Sequence, residues 1–523
     1  AAAFDGITTS TGNLTITGTT PATVAELITI NAATSGTVFL NSQTITANLG
    51  GSATDLVAAF DGITTLTPRL TITGTTPATI AELIAINTAT SDTVDLNAET
   101  IAQNYDDTAA NLAAAFDGIV TSTARLTISG TTPATIAELA SINGATSGTV
   151  VLNPETIAQD YNDTAANLAA AFDGTDTSTA ILTITANTPA ATITELVAIN
   201  AATSGNVVLN AQTIGTAYSD TAANLAAAFD GITMSTVTLT IIDGDPATLA
   251  ELITINAATS GNVVLNAQTI ATAYADTAAN LAAAFDGINT STANLTITAD
   301  TPAATIAELV AINAATSGNV VLNVATNTAT YNDTAANLIA AFTGTVTHTG
   351  PLLISDTDIV FAADLTLIDT FTSGQTMAMS ALEISGSAAD IIAVIGGGGV
   401  TFSPNVNITI TGAATTTGDL ATIIAATNGA VVLNPQTIAA AYSDTAANLA
   451  AAFDGITTLT SALTIAGTDP ATVAQLITIN AATSGDVVLN AQTNAANLNG
   501  SATDLAAAFD GITTSTGNLT ITG

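Results

Sequence analysis

The chain of 523 residues contains no cysteine and no tryptophan. Without cysteine there is neither a disulfide nor a thiolate metal site, which suits an exported protein that avoids adventitious oxidation. Lysine is missing as well. The cationic side chains are Arg69 and Arg125, set against 41 acids, so the formal net charge is -39. A polyanion of this kind, with two arginines in all, has too little cation to neutralise phosphate, which excludes nucleic acid as a partner. Anionic membrane surfaces repel it too. Its natural partners are cations: Ca2+, Mg2+ or a basic protein. The single histidine, His348, cannot build a zinc site or a Ser-His-Asp triad alone. There is no P-loop or dinucleotide fingerprint, and the glycines at 396–399 lack the context such a motif needs. The chain therefore reads as non-enzymatic. No apolar run approaches the roughly 18–20 residues of a membrane helix; Ile391 to Ile395 and its flanks run into glycines.

What is present is repetition. Residues 1–18 recur letter for letter as residues 506–523. Between them a phrase centred on Phe returns at Phe4, Phe60, Phe116, Phe172, Phe229, Phe285, Phe342, Phe453 and Phe509, with a step of 56 or 57 residues and one gap of 111. Such self-similarity is the mark of a stacked repeat array, in which each unit covers its neighbour's apolar flank. The identical ends suggest a window on a longer array with a higher-order period. The regular repeats run over 1–342 and 435–523; 343–434 is a degenerate repeat or joint.

Residues 239–294 serve as the type unit. Leu-Thr-Ile alternation gives a half-buried strand. After a Pro-containing loop, Thr-x-x-Glu (Thr23 to Glu26, Thr79 to Glu82, Thr305 to Glu308) is a capping box that opens the first helix. Val-x-Leu-Asn is the second strand; its middle position accepts Phe39, Asp95, Val151 or Val208 and so points outward. The second helix begins at an Asp N-cap (Asp220, Asp276, Asp444), places Leu225 and Phe229 on one face, and stops at a C-cap glycine, Gly231. Strand-helix-strand-helix with right-handed crossovers makes the strands parallel and sets the helices on one side. The expected fold is an α/β repeat solenoid with about 56 residues per unit.

Several recurring positions invite a role. Asn41, Asn97, Asn153, Asn210, Asn266, Asn323, Asn434 and Asn490 end the second strand and predict an Asn ladder along the sheet. Asn31 and its copies in the first helix read as packing, because Ile424 replaces them once. Five of the six Tyr (Tyr105, Tyr161, Tyr218, Tyr274, Tyr442) read as packing at the start of the second helix. The Asp after each Phe, as in Asp230 and Asp286, opposes the helix dipole. It is either an Asx-type turn or a calcium ligand together with loop carbonyls. In 343–434, Asp356 and Asp358 form a second candidate metal pair, near His348, Met377 and Met379. Outward threonines form rows of the kind seen on ice-binding solenoids, but on alternate strands only.

The half-repeat length, and Leu-x-x-Ile-Asn followed by Val-x-Leu-Asn, loosely resembles leucine-rich-repeat architecture. The Ala/Thr/Asn/Asp/Gly bias, with Cys and Lys absent, resembles the giant extracellular tandem-repeat surface proteins of bacteria, of adhesin-stalk, surface-layer or sheath type. That resemblance implies an extracellular, cell-surface structural scaffold: a filament, sheath or layer that self-associates and binds divalent cations. The alternatives are the spacer stalk of an adhesin and a glycan-binding or ice-binding solenoid.

Overall fold

The computed structural model describes residues 10–522, apart from 64–68, 120–121, 176, 186–188, 233–235, 243, 299–301, 346–347, 374–376, 379 and 513–514. Phe4, Asp5 and Met379 lie outside the described residues, as do parts of the Thr-rich loops. The chain divides into two units, residues 1–269 and 270–523. Both are α/β, built from repeated strand-helix elements with parallel sheets.

In the first unit a repeat has six elements, not four. Residues 211–264 show them in order: a short helix (Ala211–Ile214), a tyrosine strand (Tyr218–Asp220), an alanine helix (Ala222–Phe229), a threonine strand (Leu239–Ile241), a boxed helix (Leu249–Ala258) and a valine strand (Val263–Val264). The threonine strand lies in the middle of each sheet. Tyr218 pairs with Leu239, and Leu239 with Val263, all in parallel. The short helix and tyrosine strand are the elements that the four-element expectation omits. At three to five residues each, they are too short to carry a legible period.

Each local feature has a cause. The boxed helices carry the expected capping box: the Thr79 hydroxyl accepts the Glu82 N–H while the Glu82 carboxylate accepts the Thr79 N–H. The alanine helix starts one residue later than expected. Its N-cap is Thr221, Thr277 or Thr445, each accepting the N–H of the Asn three residues on. Asp220, Asp276 and Asp444 stand just before the helix, where Oδ1 accepts from that Thr N–H and from the same Asn side-chain amide. The Ala run lets Leu225 and Phe229 become fully buried. Gly231, at φ +71°, takes the left-handed turn after the helix.

Adjacent coils approach closely where the boxed helix ends. A Cβ at Gly205 would lie 2.3 Å from the Ala180 carbonyl oxygen, so Thr-Ser-Gly needs its glycine for backbone contact. The middle of the valine strand faces out as expected: Phe39 is 50% exposed and Val208 45%.

The second unit holds the same elements over Tyr274–Phe342 and Pro435–Ile521, with the drifted stretch between. There, a four-stranded parallel sheet joins Ile359–Phe361, Glu383–Ser387, Asn407–Thr411 and Val431–Val432. Helix Ala362–Asp369 takes the boxed-helix place without a side-chain cap, and Ala388–Gly396 takes that of the alanine helix. No helix among the described residues is long and apolar enough to cross a membrane.

Candidate functional site

The recurring polar residues converge at the junctions between coils. In the first unit the residue before each boxed-helix N-cap is Ala22, Ala78, Ala134, Ala191 or Ala247. Its N–H donates to a threonine hydroxyl of the following short helix: Thr44, Thr100, Thr156, Thr213 or Thr269, at 2.8–3.0 Å. These threonines are at most 1% exposed. The carbonyl of the same alanine accepts the phenol O–H of Tyr105 from Ala78, of Tyr161 from Ala134 and of Tyr218 from Ala191, at 2.8–2.9 Å. One buried alanine thus has both of its backbone polar groups satisfied by side chains of the next coil. The Tyr ring meets the Phe of the alanine helix edge-on, with centroids 5.3–5.5 Å apart. Burial pushes the Tyr105 phenol up to about 12.

The asparagine after each valine strand is the N-cap of the short helix. Asn41 Oδ1 accepts the Thr44 N–H at 2.9 Å, while its Nδ2 donates to the Thr20 carbonyl at 3.0 Å and to that of Gly18. Asn97 and Asn153 repeat the pattern. These amides reach the loop of the preceding coil.

A second asparagine row ties the helices. Asn31 Nδ2 donates to the carbonyls of Ala58 and Asp61 at 3.2 and 3.0 Å, and Asn87 to those of Ala114 and Asp117. Asn200 bonds Ala227 and Asp230, and Asn480 bonds Ala507 and Asp510. Helices end with unpaired carbonyls, and this clamp supplies their donor. The expectation that Asn31 is packing is corrected accordingly.

The clamp also involves the Asp after Phe. The atom used is its backbone carbonyl, while the side chains of Asp61, Asp117 and Asp230 face solvent. Of the proposed metal residues, Asp230 and Asp286 are exposed at these helix ends. Asp356 Oδ2 accepts the Ala335 N–H at 2.7 Å, at the start of helix Ala335–Phe342. Asp358 is exposed. Among the described residues, no group of three or more His, Cys, Asp or Glu converges as a metal site would require.

Two departures fall in the drifted stretch. Asp369 occupies the clamp position of its helix, and its carboxylate lies over Gly399. Ile424 occupies the next clamp position. His348 stands where other repeats carry Ser178 or Ser291. Its ring is fully buried against Tyr331 and Phe342, with centroids at 5.5 and 4.9 Å, and Phe342 in turn contacts Phe371. Neither ring nitrogen completes a hydrogen bond. Burial lowers its pKa, weakly opposed by the Ala329 carbonyl. Arg69 pairs with Asp95 across neighbouring strands. No protein-family model matches this chain, and no curated protein matches it significantly.

Proposed function

We propose that the chain is a structural scaffold, an extracellular repeat solenoid forming part of a cell-surface filament, sheath or layer. The observation that carries this reading is the use of the recurring polar residues. The buried Thr, the Tyr phenol and both Asn rows join one coil to the next, within each unit, by hydrogen bonds. In this reading the 56-residue sequence period is the assembly period, and the Asn row after the valine strands acts as a ladder of caps along the sheet. Fibre-like proteins gain from such a design, because stability grows with each nearest-neighbour interface. Divalent cations, Ca2+ foremost, would screen the carboxylates rather than fill one tight site, since a tight site takes six to eight oxygens.

One observation favours a second reading. A net charge of -39 keeps copies apart at low ionic strength, as a spacer stalk of an adhesin requires. Negative-stain imaging of the purified chain, with and without Ca2+ and at low and high salt, separates the two. Filaments or a lattice support the scaffold. Separate particles under every condition overturn self-assembly and leave the stalk.

A further inference from the structure

The geometry points to a binding cleft at Ile424 that takes a lysine side chain of a partner protein. The site follows from comparing copies within one chain. In the regular repeats, an Asn amide donates to two carbonyls at the end of the next alanine helix. Where Ile424 stands, the corresponding carbonyls belong to Ala451 and Asp454, and an isoleucine has no donor for them. The helix responds: Ala446–Ala452 stops one residue short of its copies, and Phe453 leaves helical geometry at φ -123°, ψ 17°. A cleft of about 610 Å³ opens at this place, lined by Ala421, Ile424, Ala450, Ala451, Asn428 and Asp454 among others.

Its chemistry is specific. The end wall offers two carbonyls without their usual donor, the negative end of a helix and an exposed carboxylate, Asp454. The side wall carries Ala421, Ile424 and Val431 beside the polar Thr427 and Asn428. A group that satisfies all of these carries N–H donors and positive charge at the tip of an apolar stem; of the two side chains so built, lysine brings a compact ammonium with three rotatable donors, whereas the planar fork of arginine suits a bidentate carboxylate or phosphate. A bare divalent cation fits less well, since the oxygens are fewer than Ca2+ takes and the cleft is much larger than an ion. The chain has no lysine of its own, so the occupant comes from another protein, and the overall negative charge draws a basic one in.

Because cysteine is absent, one introduced thiol can report on the site. Thr422→Cys, beside the cleft, carries an environment-sensitive fluorophore. Ala198→Cys reports the matching place beside the intact Asn200 clamp. Each labelled chain is titrated with N-acetyl-lysine methylamide and with its neutral glutamine counterpart. The expected result is a saturable response to the lysine probe at position 422, at least tenfold stronger than at 198. Glutamine should be far weaker. Adding Ile424→Asn, which restores the clamp, should abolish the response while leaving the circular dichroism unchanged. No response at 422, an equal response at 198, equal binding of both probes or survival in Ile424→Asn would each overturn the assignment.

Discussion

At the scale of single residues, the buried threonine of the short helix is the least conspicuous and most constrained position. Thr156 is fully buried, and its hydroxyl accepts the Ala134 N–H at 2.8 Å while Tyr161 holds the Ala134 carbonyl. Thr156→Val keeps the shape and removes the acceptor, so it should cost about 1–3 kcal/mol, the penalty for a buried donor left unpaired. Thr156→Ser should restore most of that. Tyr161→Phe should cost about 1 kcal/mol, and the two changes should be non-additive because both act on the backbone of Ala134. Native-state hydrogen exchange across 134–172 measures all three. Alkali tests the same junction. Burial raises the phenols of Tyr105 and Tyr331 to about 12, above the ordinary 10. The folded state therefore holds these protons after the unfolded state has lost them. The stabilisation is complete below pH 10 and is lost as pH rises through about 12. A tyrosinate absorbance titration should show ionisation and unfolding together in that window.

At the scale of elements, the helices are held by their ends. Asn200→Leu removes the amide that bonds the Ala227 and Asp230 carbonyls. It should fray the last turn of helix Ala222–Phe229 at a cost of about 1–2 kcal/mol, seen as faster exchange confined to that turn. The cap at the other end separates two neighbours. Thr221→Ala should cost about 1 kcal/mol as a lost N-cap, and Asp220→Ala less, since Asp220 only braces Thr221 and Asn224. The sequence itself made the long helices, the capping boxes, the outward middle of the valine strand and the Gly after Phe-Asp legible, because each rests on a local period or a cap signature. It concealed the short helix, whose signal is the recurrent Asn-x-x-Thr of Asn153 to Thr156. That spacing has the form of an N-cap with its third helical residue, but it stands at the end of a strand and reads as a strand terminus. Asn31 was opaque for another reason: its partners lie 27 and 30 residues away, and no local pattern encodes a long-range carbonyl. The Asp after Phe drew attention for its carboxylate, when the structural use is of its backbone.

At the scale of the whole molecule, charge sets the conditions under which the units hold. In the second unit, His348 is buried among rings without a hydrogen bond, and burial lowers its pKa below 6.5. As pH falls past 6.5 the unfolded chain takes up a proton that the folded core refuses, so stability present at neutral pH declines on acidification. His348→Ser, the residue of the regular repeats, should flatten that decline while lowering stability at neutral pH through lost packing. The remaining charge acts everywhere. With 41 acids and two arginines, Arg69 and Arg125, both in the first unit, each unit is loaded with like charge; among the described residues one ion pair offsets it, Arg69 with Asp95 in the first unit. Self-repulsion of this kind destabilises a compact state and is screened by salt, the Debye length falling from about 10 Å at 0.1 M to about 3 Å at 1 M. The core is apolar and the coil junctions are neutral hydrogen bonds, neither of which salt weakens. Thermal stability should therefore rise steadily with sodium chloride, and faster with calcium chloride at equal ionic strength if carboxylates of adjacent coils share the ion. Melting followed by circular dichroism across both series checks this. A melting temperature that falls with salt would mean that ion pairs, rather than buried peptides and clamped helix ends, carry the fold.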